Sequence, residues 1–150
     1  MRIFQNKGFK KWANDEGLSD FDLLAAIDEM ESGLTGDSLG GNIYKKRIGL
    51  QGRGKSGGVR TIIAYKIKDK AFFLHGFAKN ERTNISDAEE KALKMAAKAL
   101  FQYTDEEIET ALKAGALIEI VKPKSEDKQI NSALDTEDLS EIAEKKSNGK

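Results

Sequence analysis

Two runs of β-branched and aromatic residues, Val59-Arg60-Thr61-Ile62-Ile63-Ala64-Tyr65-Lys66-Ile67 and Ala71-Phe72-Phe73-Leu74-His75-Gly76-Phe77-Ala78, are separated by a short turn around Asp69. They read as an antiparallel hairpin, and the remaining elements have to pack against it. Upstream, Arg2-Ile3-Phe4 suits a short strand, and Phe9, Trp12 and Ala13 recur at helical spacing before a stop at Gly17. Ser19 is placed to cap an amphipathic helix over Asp20 to Ser32, ended by Gly33. Gly36, Gly40 and Gly41 mark a turn before the strand Ile43-Tyr44-Lys45-Lys46-Arg47-Ile48. Downstream, Asp87 is placed to cap one helix, and Thr104 with Glu107 has capping-box spacing for a second through Ala114, stopped by Gly115. Leu117-Ile118-Glu119-Ile120-Val121 then reads as a closing strand. The pattern predicts an α+β fold, a small antiparallel-rich sheet packed against N-terminal helices, with C-terminal helices and a closing strand.

The 150 residues suit one domain with an appendage. The domain is expected over 1–121. From Lys122 onward the composition turns polar, which predicts a tail over 122–150 with at most one short helix near Thr136 to Lys145. No apolar run approaches the ~18 residues needed to cross a bilayer, and the first residues lack a signal-peptide core, so a cytoplasmic protein without a membrane partner is expected. With no cysteine and one histidine, neither a disulfide framework nor a Cys/His zinc site can form.

The net charge of zero conceals a segregation of charge. Met1 to Asn42 holds 4 cations and 8 acids, Ile43 to Arg82 holds 11 and 2, and Thr83 to Val121 holds 4 and 8. A field of one sign over the middle third attracts an anionic polymer; the competing reading is a solvated strand face guarded by lysines. Within this segment Gly49-Leu50-Gln51-Gly52-Arg53-Gly54-Lys55-Ser56 matches the phosphate-loop pattern GxxxxGK[ST]. That pattern works where it opens a helix, whereas here a strand-like run follows. What remains is a flexible cationic loop with Arg53 and Lys55 able to meet phosphate.

Cutting RNA without a metal drives the 2′-hydroxyl onto its own phosphate, which needs a base, a cation on the phosphate and an acid for the leaving oxygen. Arginine suits the phosphate role because its planar donors grip a dianion. A lysine crowded by like charges gives up its proton more readily, which makes Lys45, beside Lys46 and Arg47, the candidate base. Strand alternation puts Lys45 and Arg47 on one face and Lys46 on the other. Arg60 follows Gly57-Gly58 and can extend over the sheet. His75, between Phe73 and Phe77 on one face, reads as a packed core residue more readily than as an acid. Lys45, Arg47, Arg53, Lys55, Arg60 and Arg82 are expected to converge on one pocket.

The string GRGKSGGVRTIIAY followed by AFFLHGFAKNER, together with the closing LIEIV, resembles the RelE/HigB superfamily of toxin–antitoxin modules, in a phage-associated branch. The resemblance covers Met1 to about Val121. It implies a ribosome-dependent endoribonuclease that cleaves messenger RNA, uses no metal or cofactor, and is neutralised by a cognate antitoxin. Operator DNA would be met only through the antitoxin complex. The family's basic pair falls on Lys45 and Arg47, and its arginine after the strand-opening glycine falls on Arg60. The exit motif Lys79-Asn80-Glu81-Arg82 adds Arg82 as a catalytic candidate. Arg53, Lys55, Lys79 and Asn80 are the implied RNA contacts. In the best-known members an arginine stands where this chain has Asn80, and a tyrosine falls near Ser86, so the proton-transfer roles stay open. The alternative is a non-cleaving member, either a DNA gyrase inhibitor or a nucleic-acid-binding, operon-repressing subunit.

Overall fold

A computed structural model describes residues 1–50, 54–78 and 84–122, and for 54–57 the backbone alone. By compactness Met1–Ile120 forms one unit. The helix expected near Thr136 lies outside the described residues. The order is β1 (Arg2–Asn6), α1 (Lys7–Glu16), α2 (Asp20–Glu31), β2 (Asp37–Gly40), β3 (Ile43–Leu50), β4 (Gly54–Lys66), β5 (Lys70–Ala78), α3 (Asp87–Phe101), α4 (Asp105–Ala114) and β6 (Leu117–Ile120). Among the described residues no helix is long and apolar enough to cross a membrane.

The fold is α+β, as expected, and its helix termini follow local chemistry. The N–H of Gly17, at φ 83°, bonds the Ala13 carbonyl and closes α1. Reciprocal capping boxes open α2 (Ser19 with Asp22), α3 (Ser86 with Glu89) and α4 (Thr104 with Glu107). The expected cap at Asp87 is thereby corrected: Ser86 caps, because Glu89 stands three residues after it to return the bond, and Asp87 is the first helical residue.

The six strands form one sheet in the order β2-β3-β4-β5-β1-β6. The expected hairpin is its centre, with β4 antiparallel to β5 from Val59↔Ala78 to Lys66↔Lys70. The sheet is nevertheless mixed, since β1 pairs with β5 in parallel. The segment from Gly36 to Gly41 is more than a turn: its middle forms the edge strand β2, paired Asp37↔Lys45. Much of the expected flexible loop is strand instead. Gly49 and Leu50 belong to β3, Gly54 to Ser56 belong to β4, and Leu50 pairs with Gly54.

Alternation distributes side chains to two cores, one on each face. Ile48, Val59, Ile63, Tyr65 and Phe73 join Phe9, Ala13, Leu23 and Ile27 of α1 and α2. Ile43, Ile62, Ala64, Phe72 and Phe77 join Ala97 and Ile108 of α3 and α4. The C-terminal helices therefore cover the face opposite the N-terminal pair. A register shift between Ile62↔His75 and Ile63↔Phe73 accommodates Leu74 as an extra residue. It corrects the expectation that Phe73, His75 and Phe77 share a face, because Phe73 and Phe77 enter different cores.

Lys46, on the α1/α2 face, bonds Glu29 of α2 at 2.7 Å with its side chain 6% exposed. Glu29→Gln would strand a buried ammonium, and we expect a loss of about 3 kcal/mol in urea unfolding. Lys46→Met removes the charge but keeps the apolar stem, and is expected to stay within about 1 kcal/mol of the parent. Equal losses in the two variants would show that the contact is worth only its packing.

Candidate active site

Continuous register from Ile43↔Ala64 to Ile48↔Val59 sets Arg47 directly opposite Arg60 and Lys45 opposite Ile62. Residues facing each other across strands hold their Cβ atoms about 5 Å apart. Ile43 and Ile62 enter the α3/α4 core, so by alternation Lys45, Arg47 and Arg60 project from that same face. All three line one open cleft of about 330 Å³, walled also by Leu34, Gly36 and Asp37.

The cleft is electrostatically unbalanced. Two arginines placed directly opposite repel each other, and a nearby acid offsets this only partly. Asp37 Oδ2 lies 3.9 Å from Lys45 Nζ, with the Asp37 side chain 76% exposed. Burial pushes the pKa of the Arg60 guanidinium down, Arg47 lowers it further and Asp37 raises it. The group still stays protonated at neutral pH. Arg60 Nη1 is buried and has no hydrogen-bond partner among the described residues. A buried donor left unpaired costs about 1–3 kcal/mol. A donor so placed, next to a second arginine, is able to bind an anion. A phosphodiester would satisfy the free nitrogen and screen Arg47 from Arg60.

Of the residues singled out from sequence, the structure brings Lys45, Arg47 and Arg60 together. Arg53, Lys79, Asn80 and Arg82, and the side chain of Lys55, lie outside the described residues. The strand context of the GxxxxGK[ST] segment holds, since Lys55 and Ser56 lie in β4 and open no helix. His75 is half-buried opposite Ile62, its ring 6.3 Å from that of Phe77. Asp37 and Gly36 were missed as cleft residues, because a glycine-rich stretch without alternation gives no strand signal. Gly36 has φ 77°, and a Cβ there would run into the Lys45 carbonyl, so this wall requires glycine.

The family model described as RelE toxin of RelE / RelB toxin-antitoxin system matches residues 1–120. No curated protein gives a match to the chain.

Proposed function

The chain belongs to the RelE toxin family, and from that premise we propose that it is a ribosome-dependent messenger RNA endoribonuclease working without a metal. Toxins of this family generally inhibit translation as endoribonucleases and have a cognate antitoxin. The observation that carries the finer reading is the facing pair Arg47 and Arg60, with the unpartnered Nη1 of Arg60. Two guanidinium groups on one side of a phosphate can hold the charge that develops as the 2′-oxygen attacks. Lys45, two residues from Arg47 on the same face, is the group we assign to proton transfer. Arg82 belongs to the same proposal as a further cation, with Arg53, Lys55, Lys79 and Asn80 as contacts to the strand. The antitoxin would neutralise the protein by covering this face.

Cleavage of one messenger RNA in the presence and absence of purified ribosomes tests the proposal. Cutting that appears only with ribosomes is expected. Equal cutting of naked RNA would overturn ribosome dependence. Loss of gyrase supercoiling without any cut would favour the gyrase-directed alternative.

A further inference from the structure

A second cationic groove, of about 490 Å³, lies along α3. Lys91, Lys94 and Lys98 repeat at helical spacing along one flank, and Lys66 reaches the groove from β4. Taken alone, the helix would be unremarkable: Lys94 pairs with Glu90 four residues back at 3.0 Å, and Lys98 sits in the last turn, where a cation opposes the helix dipole. Lys66 alters that reading, because two elements distant in sequence bring cations to one groove whose lining holds no carboxylate. Among the described residues none is ion-paired with Lys66, Lys91 or Lys98. The groove also has an apolar strip. Met95 is 67% exposed, and Lys66 Nζ lies 5.4 Å over the ring of Phe101.

This groove and the arginine cleft lie at opposite ends of β2. Gly36 and Asp37, where β2 begins, line the cleft; Gly41 and Asn42, just past its end, line the groove. Four strand residues at about 3.3 Å each separate them by about 13 Å. Lys66 and Arg60 also lie on one strand with the same parity, so both belong to the face that α3 covers. We propose that the α3 groove is a second subsite for the phosphate backbone of single-stranded RNA, holding the strand that occupies the arginine cleft as it continues across β2. Cations along a track with an apolar surface beside them are what sequence-tolerant single-strand binders use, one for phosphates and the other for base faces. An acidic protein segment is the competing occupant; continuity with the cleft favours RNA.

The proposal rests on the RNA-cleaving reading of the cleft, and the experiment separates the two. Binding of 2′-O-methyl RNA, which lacks the attacking hydroxyl, is measured by anisotropy with the full chain, using a 4-mer and a 15-mer over a range of salt. For the 15-mer, the triple variant Lys91→Gln, Lys94→Gln and Lys98→Gln is expected to lower the slope of log K against log salt by about 0.7 per lost contact, about 2 in all. Its affinity for the 4-mer should match the parent. Lys66→Gln, outside the helix, should lower the 15-mer slope by about 0.7, and so guards against a helix defect in the triple variant. Parental slopes in both sets of variants would overturn the subsite and leave the groove to an acidic protein, while cleavage by the parent would keep the cleft reading intact. Failure of the parent both to bind the 4-mer and to cut ribosome-bound RNA would instead sink the cleft reading, and the subsite with it.

Discussion

Replacing Arg60 by alanine is expected to slow RNA cleavage by about 10²–10³-fold, the loss of one preorganised transition-state donor worth about 2.7–4 kcal/mol. The same change should leave the protein at least as stable. Arg60 faces Arg47 across the strand pair and keeps Nη1 buried without a partner among the described residues, so its removal relieves a repulsion and an unpaired donor. Stability gained where activity is lost is what distinguishes a site residue from a structural one. Lysine should not rescue it, because a point charge cannot reproduce two parallel hydrogen bonds to a phosphate. Primer extension on ribosome-bound messenger RNA gives the rate, and urea unfolding gives the stability. An alanine variant that cuts at the parental rate would remove Arg60 from the mechanism.

Gly58→Ala should have the opposite profile, losing fold and activity together, with a cost near 3 kcal/mol at the upper end for overpacking. A Cβ at Gly58 would run into the carbonyl oxygen of Ile48 and crowd the Cα of Gly49. Both obstacles are backbone, within the β3–β4 pairing that sets Arg47 against Arg60. Gly76 is also crowded, but there the obstacle is the ring of Trp12, a side chain with some freedom to shift. A lowered urea midpoint accompanied by weak cleavage is expected for Gly58→Ala. A parental midpoint would show that the two strands can separate locally at no cost.

The features legible in the sequence are those that depend on near neighbours. The N-cap at Ser19, the capping box at Thr104, the stops at Gly17 and Gly115, and the β4–β5 hairpin each need only a few consecutive residues. Period-two alternation was enough to predict that Lys45 and Arg47 share a face and that Lys46, now found on Glu29, does not. Features set by distant partners were not legible. The parallel pairing of β1 with β5 joins Ile3 to Ala71, and no local pattern announces it. Strand β2 is short, largely exposed and set among glycines, so neither alternation nor propensity marks it, and Asp37 was lost with it. The extra residue at Leu74 reverses the parity of β5, so simple alternation puts Phe73 on the face of Phe77 while the structure separates them. The direct opposition of Arg47 and Arg60 is a register fact, and sequence yields only their parities.

The central claim is that the cleft around Arg60 drives a 2′-hydroxyl onto its neighbouring phosphate, and the chemistry of the cut ends tests it most directly. In that reaction the 2′-oxygen bonds to phosphorus, the 5′-oxygen leaves and takes a proton. The upstream fragment should therefore end in a 2′,3′-cyclic phosphate and the downstream fragment begin with a 5′-hydroxyl. Fragments carrying a 3′-hydroxyl and a 5′-phosphate would mean that water, not the RNA's own hydroxyl, made the attack, and would contradict the account.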